Sequence, residues 1–235
     1  MRHLKQVLGL VVVALVWSAD AIGSDAVLQE HALGAKDAPV TMIEFSSLTC
    51  PHCADFHATT LPKIKEQYIE PGKLRLVYRD YPLDPLATAA AILPHCVAPD
   101  RYFGLLEALF RSQSSWARSQ EPVKELERLS RFAGLSPADF EACLNNGALL
   151  QAIQQRAEAD RKEYGITSTP TFVINGQRIV GASDFEAFQR AIEQKLGSTG
   201  GTAPGTDSSL ASGSGSAEAG WLARQWDRLR TWWNG

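Results

Sequence analysis

The chain has 235 residues, 45% of them hydrophobic, and carries 23 Lys and Arg against 26 Asp and Glu for a formal net charge of −3. That length suits one globular domain with an insertion, or two small domains. The balanced charge excludes the basic footprint of a nucleic-acid binder.

Residues 1–21 read as a secretory signal peptide. Arg2 and Lys5 make a positive start, and Val7 to Trp17 is an uncharged run too short to cross a bilayer comfortably. Ala19-Asp20-Ala21 then has the pattern of a cleavage site. The alternative is an uncleaved anchor; with no cysteine ahead of Cys50, a lipid-anchored leader is not expected. Export predicts a periplasmic location, an oxidising compartment in which disulfides persist.

Residues 22–85 form the first part of an α/β domain. Leu28 to Pro39 is a lead-in with room for a short strand, and Val40 to Phe45 is a short, mostly apolar strand. Cys50-Pro51-His52-Cys53 follows, and Phe56, Leu61, Ile64 and Tyr68 continue at helical spacing as far as Glu70. Pro71-Gly72 marks a turn, Leu74 to Tyr78 alternates like a second strand, and Tyr81 to Pro85 ends it. Residues 86–164 are helical almost throughout, broken at Leu93-Pro94, Ala98-Pro99-Asp100, Gln120 to Pro122, Ser136-Pro137 and Asn145-Asn146-Gly147. Ser136-Pro137-Ala138-Asp139 is a well-formed helix start. Residues 165–196 return to the sheet. Thr171 to Ile174, Asn175-Gly176 and Gln177 to Val180 read as a hairpin, and Ser183-Asp184-Phe185-Glu186 as the capping box of a last helix ending near Leu196. The helical block is too long to be a loop. A βαβ unit and a ββα unit therefore close into one mixed sheet flanked by helices, with a helical subdomain inserted between them.

Cys50 sits at an exposed helix start, where unpaired backbone N–H groups and the macrodipole favour an anion. A thiol there ionises easily, and the thiolate is the reactive form. Cys53 lies one turn on, placed to close a small disulfide. This is the layout of thiol–disulfide exchange. A zinc half-site is the competing, different-class reading, since a metal-binding module could draw on Cys50, Cys53 and either His52 or His57. It lacks the usual second ligand pair, because Cys96 and Cys143 are far apart in sequence, and no metal is expected.

The order of these features, with Ser168-Thr169-Pro170 ahead of the hairpin, resembles the DsbA-like family of exported, thioredoxin-fold thiol:disulfide oxidoreductases over roughly Ala38 to Leu196. The resemblance implies a thioredoxin-like fold, Cys50 as nucleophile, Cys53 as resolving thiol and Pro170 as a cis-proline facing them. It implies no cofactor beyond a redox-active Cys50–Cys53 disulfide. The implied partners are cysteine-containing substrate proteins and a membrane quinone-linked, DsbB-like reoxidant, and the implied state is a monomer. A reductase or isomerase of the same fold is the alternative, although such isomerases usually carry an N-terminal dimerisation domain that residues between Ala21 and Ala38 cannot supply.

The residues add detail. His52, between the cysteines, can place a donor or a positive charge beside the Cys50 thiolate, and Pro51 suits the first helical turn. Glu44 lies in an apolar strand, six residues before Cys50, where the family carries an acid. Either it is buried beneath the motif to accept the Cys53 proton, or it reaches the sheet edge and is solvated. A cis Thr169-Pro170 bond would bring the Thr169 backbone opposite Cys50, where an extended substrate could pair. Cys96 and Cys143 are either a structural disulfide or two buried thiols, and export favours the bridge. Residues 197–220 are a Gly/Ser-rich flexible linker. Residues 221–235 hold four of the six tryptophans and form an amphipathic Trp/Arg stripe, Leu222, Trp226, Leu229 and Trp233. That stripe suits a membrane surface, a protein partner or a solvated terminus.

Overall fold

The computed structural model describes residues 28–199. The signal segment, most of the Gly/Ser run and the Trp/Arg stripe lie outside those residues.

β1 (His31–Leu33), β2 (Val40–Ser46), β3 (Leu74–Asp80), β4 (Thr171–Ile174) and β5 (Gln177–Val180) make one mixed sheet in the order β1-β3-β2-β4-β5. β2 and β3 are parallel, with Glu44 level with Tyr78, and all other pairs are antiparallel. The β4–β5 turn has Asn175 at φ 41° and Gly176 at φ 85°, the left-handed pair that a two-residue hairpin requires. Asn175 also accepts from the Thr41 N–H at 2.8 Å, pinning the turn to β2.

The β2–β3 crossover is a helix that changes pitch twice. α1 (Pro51–Asp55) widens into a π-helical stretch at Phe56–Thr60, tightens to α2 (Leu61–Ile64) and widens again at Lys65–Ile69. The cause of the first widening is Pro62. It has no N–H to give, and its ring collides with the carbonyl of a regular preceding turn, so the Leu61 N–H reaches back five residues to Phe56. The apolar side chains of this helix, Phe56, Leu61, Ile64 and Tyr68, cover one face of the sheet together with α9 (Phe185–Thr199). There they bury Val40, Met42, Leu74, Leu76, Phe172 and Ile174.

The insertion comprises α3 (Pro85–Ile92), α4 (Tyr102–Arg111), α5 (Gln113–Ala117), α6 (Pro122–Phe132), α7 (Pro137–Leu144) and α8 (Gly147–Tyr164). Its own core, around Tyr102, Leu106, Trp116 and Leu126, is continuous with Leu48, Cys50, Cys53 and Tyr78. The insertion thus closes over the end of the sheet that carries the thiols. Cys96 and Cys143 are joined in a disulfide that ties the segment after α3 to α7 across 47 residues. Restricting a loop of that length in the unfolded chain stabilises by up to about 4 kcal/mol.

Several expected boundaries move. β2 and β3 each run beyond their apolar cores, to Ser46 and Asp80, because ladder bonds continue past the last apolar residue. The insertion begins at Pro85, with Asp84 as N-cap accepting from the Ala87 N–H at 2.7 Å. The last helix is capped by Asp184, not Ser183, since the Ala187 N–H bonds the Asp184 carboxylate at 2.9 Å. It also runs to Thr199, so residues 197–199 are helical rather than linker. The helix start at Ser136 forms as read, as a capping box in which Ser136 and Asp139 bond each other's backbone N–H.

Candidate active site

β2 ends at Ser46, and the chain turns through Ser47, Leu48 and Thr49 so that Cys50 becomes the N-cap of α1, in an extended conformation with Pro51 in the first turn. The Cys53 and Ala54 N–H groups both bond the Cys50 carbonyl, at 3.1 and 3.2 Å. Two contacts hold this turn from outside. Thr49 Oγ1 donates to Asp84 at 2.5 Å, and Gln113 Nε2, from α5 of the insertion, donates to the Leu48 and Cys50 carbonyls at 2.8 and 2.9 Å. Gln113 is itself buried.

Cys50 and Cys53 are both free thiols. Cys53 is fully buried, and Cys50, expected to be exposed, keeps only 7% of its surface. Opposite Cys50 lies the Thr169-Pro170 bond, which is cis as the resemblance implied, and the Cys50 thiol meets the Thr169 carbonyl at 3.3 Å. Both residues are buried where β4 begins.

The two thiols are driven apart electrostatically. The Cys53 S–H, donating to Cys50, is the main cause that brings the Cys50 pKa down to about 5. Burial opposes this, and the Thr169 side chain and the backbone N–H groups of Cys53 and His52 support it. Cys53 is pushed far up, chiefly by burial and then by that same donation to Cys50, while Ser46 and the Ser47 backbone pull weakly the other way. One thiol is held ready as a thiolate and the other is held protonated.

His52 reaches Cys50 through its backbone N–H and not, as expected, through its ring. The side chain is exposed, because the helix start points it to solvent. Glu44 is fully buried under the helix and is not solvated at an edge. Its Oε1 is paired with His57 Nε2 at 2.9 Å, and no hydrogen bond joins it to Cys53 among the described residues. The sequence reading considered His57 only as a metal ligand. Its position four residues after Cys53, hence on the same helix face, is the signal that places it beneath the motif. Gln113 had no such signal, because its contacts span more than 60 residues. Among the described residues, no group of three or more His, Cys, Asp or Glu converges to hold a metal.

A second buried polar cluster lies further along β3. His95 Nε2 meets Asp80 Oδ2 at 2.7 Å, and His31 stacks on Tyr102 with ring centroids 3.5 Å apart. Burial holds the His31 pKa down at about 4. His95 thus makes a structural contact next to the Cys96 bridge.

Comparison with known proteins agrees with this arrangement. A family model described as thioredoxin matches residues 26–194. A Rickettsia conorii protein with the provisional name protein-disulfide oxidoreductase is 30% identical over 70% of this chain and 59% of its own length. Disulfide bond formation protein D of Bacillus subtilis is 24% identical over 75% of this chain and 82% of its own. The chain spans about three fifths of the length of the rickettsial relatives it matches. Among solved structures, Wolbachia pipientis alpha-DsbA1 superposes with a TM-score of 0.68 at 31% identity, covering 75% of this chain and 96% of that one. A protein-disulfide isomerase from Novosphingobium aromaticivorans gives 0.62 at 28% identity, covering 71% and 97%. With the family model matched across both halves of the sheet and the insertion, and with the cis-proline set against a polarised pair of thiols, the chain belongs to the DsbA-like family of thioredoxin-fold proteins.

Proposed function

We propose that the protein is a thiol:disulfide oxidoreductase working as a dithiol oxidase, introducing disulfides into exported proteins. The observation that carries this reading is a pair of free thiols one turn apart at a helix start, facing the cis Thr169-Pro170 bond, with the Cys50 pKa lowered to about 5 and that of Cys53 raised. Whatever stabilises the Cys50 thiolate stabilises the reduced protein and makes its disulfide the stronger oxidant. The names of its relatives, a protein-disulfide oxidoreductase and a disulfide bond formation protein, support the same class.

In the forward reaction a substrate thiolate attacks Cys50 Sγ. The Cys50–Cys53 bond breaks, a mixed disulfide forms at Cys50, and Cys53 leaves as a thiolate that takes up a proton. The substrate's second thiolate then attacks its own sulfur in the mixed disulfide, and Cys50 departs as a thiolate. Its low pKa makes it a good leaving group, which speeds release of the oxidised product. The Thr169 backbone, facing Cys50 beside Pro170, suits pairing with an extended substrate segment. The resulting dithiol needs an oxidant to restore it, and a quinone-linked membrane protein of the DsbB type fits that need. Work in an oxidising compartment follows from the signal-like first 21 residues and from the Cys96–Cys143 bridge. No helix among the described residues is long and apolar enough to cross a membrane.

Reduction or isomerisation is the second reading, favoured by the likeness to the Novosphingobium isomerase. The depressed Cys50 pKa favours the oxidase. The test is recovery of covalent partners from cells. Cys53→Ser should accumulate mixed disulfides at Cys50 and Cys50→Ser none. No trapped partner, or persistent activity in Cys50→Ser, sinks the assignment.

A further inference from the structure

We propose that His57 is a positioning residue for the chemistry of Cys53: it holds Glu44 as the proton acceptor and exchanges that proton with solvent through the cavity between the active-site helix and α4. The proposal rests on the oxidoreductase reading above and deepens it.

The geometry is a ladder of two rungs between helix and strand. On the helix, Cys53 and His57 are four residues apart and share a face. On β2, Glu44 and Ser46 are two apart and share a face. Ser46 lies beside Cys53, and Glu44 Oε1 bonds His57 Nε2 at 2.9 Å, so the acid–imidazole rung lies one turn behind the thiol rung. Tyr78 lies level with Glu44 on β3, and burial, then Asp80 and more weakly Glu44, push its hydroxyl up. All of these groups are buried, and four atoms there have no hydrogen-bond partner: Glu44 Oε2, Ser46 Oγ, His57 Nδ1 and Tyr78 Oη. A buried carboxylate with one oxygen on a histidine and the other free is costly as mere structure. It is the arrangement required of a base that must take up a proton.

His57 connects this pair to the outside. It belongs to the π-helical stretch that Pro62 imposes, and its ring stacks on Phe110 of α4 with centroids 4.0 Å apart. The same residue lines a cavity of about 710 Å³ between the active-site helix and the insertion. The other charged groups facing that space are Asp55 and Lys65 on the helix, Glu107 and Arg111 on α4, and Arg118 just after α5. Lys65 is paired with Glu107. From the sheet, Glu44 and Tyr78 face the ring. Within this set, only the imidazole combines contact with the buried acid and a place on the cavity wall.

The proton balance is simple when Cys53 resolves a disulfide at Cys50. The Cys53 proton passes to Glu44 and the thiolate attacks Cys50 Sγ. The Cys50–Cys53 bond forms, and the bound thiol leaves as a thiolate that takes a proton from solvent. Glu44 returns its proton to solvent by way of His57. When the active-site disulfide is opened, the same path runs backwards to protonate the departing Cys53.

The test uses the reduced full-length mature protein mixed rapidly with oxidised glutathione, following formation of the mixed disulfide at Cys50 and then its resolution by Cys53. The quantity read is the ratio of resolution to formation against pH. Glu44→Gln should lower that ratio about a hundredfold. His57→Gln, which still donates to Glu44 but cannot carry a second proton, should lower it about tenfold. It should also change the pH dependence of that ratio, which a merely structural role would leave in place. A His57→Gln profile superimposable on the wild type overturns the proposal. A second reading needs no variant: the His57 ring, titrated by NMR in the dithiol and disulfide forms, should have different midpoints, and identical midpoints overturn the proposal as well. A wild type that never forms the Cys50–Cys53 disulfide sinks the oxidoreductase reading itself, and this inference with it.

Discussion

The polarised thiols predict how the two redox forms respond to acid. In the reduced protein Cys50 has a pKa of about 5, well below the value of 9.0 for an unperturbed thiol. A depressed pKa contributes stability that is complete above the unfolded value and is lost as pH falls through the folded one. At neutral pH, two units above the folded value, the native thiolate stabilises the reduced fold by about 3 kcal/mol, and below about pH 5 by almost nothing. The disulfide form has no thiol to titrate there and lacks this contribution. Acid-sensitive carboxylates and histidines elsewhere occur in both forms and largely cancel in the difference. Cys53, pushed up by burial, stays protonated across the whole window. The assay is denaturant unfolding of the dithiol and disulfide forms at neutral pH and near pH 4. The stability of the reduced form relative to the oxidised form should fall by about 3 kcal/mol on acidification, equivalent to about 60 mV in the two-electron couple. A difference that does not change with pH would refute the reasoning, because no thiolate would then distinguish the two forms.

Three further outcomes follow. Thr169→Val removes the hydroxyl that helps hold the Cys50 thiolate, so thiolate absorbance against pH should give a raised Cys50 pKa, with a smaller change in His52→Ala, whose ring is exposed. Gln113→Ala strips the donor from two carbonyls of the active-site turn and should cost about 2 kcal/mol in denaturant unfolding, along with a looser Cys50 site. Asp160, buried on α8 and raised by burial to about 6, penalises the fold above that pH and not below the ordinary carboxylate range; Asp160→Asn should therefore stabilise at neutral pH by up to about 3 kcal/mol, and a gain that persists at pH 3 would contradict this.

Much of this was legible because the informative signals are local. The apolar run Val40 to Phe45, the Asn175-Gly176 turn and the helix start at Ser136 depend on neighbours within a few residues, and each formed where the residues indicated. The Cys-x-x-Cys at a strand-to-helix turn is equally local. What the sequence hid depends on long-range contact or on competition between groups close together. Gln113 gives no sign of its role, because its two acceptors lie over 60 residues away and are brought to it only by the docked insertion. His52 and His57 illustrate the competition. Both flank Cys53 on one helix, and spacing from Cys50 favours His52. The helix phase, however, turns His52 to solvent and His57 under the sheet, where the buried Glu44 holds it. Asp184 likewise took the cap from Ser183 because the next N–H groups were within its reach.

The division of labour between the two parts of the fold explains why one motif yields two opposite thiols. A helix N-terminus in solvent would lower both sulfurs, Cys50 more than Cys53, since the macrodipole falls off within a turn. Here the insertion's core extends over the motif and buries both. Burial disfavours a thiolate at either position, and more strongly at the deeper Cys53. The donors widen the gap. Cys50 receives the Cys53 S–H and two backbone N–H groups, with the Thr169 side chain close by, and together these outweigh its burial. Cys53 is more deeply buried and spends its only proton on Cys50, so burial wins there. The thioredoxin-like part thus supplies the donors, and the insertion supplies the low-polarity surroundings that make those donors decisive. A change that exposed the motif would bring the two thiols closer together in acidity, and with that the basis for a strongly oxidising disulfide would weaken.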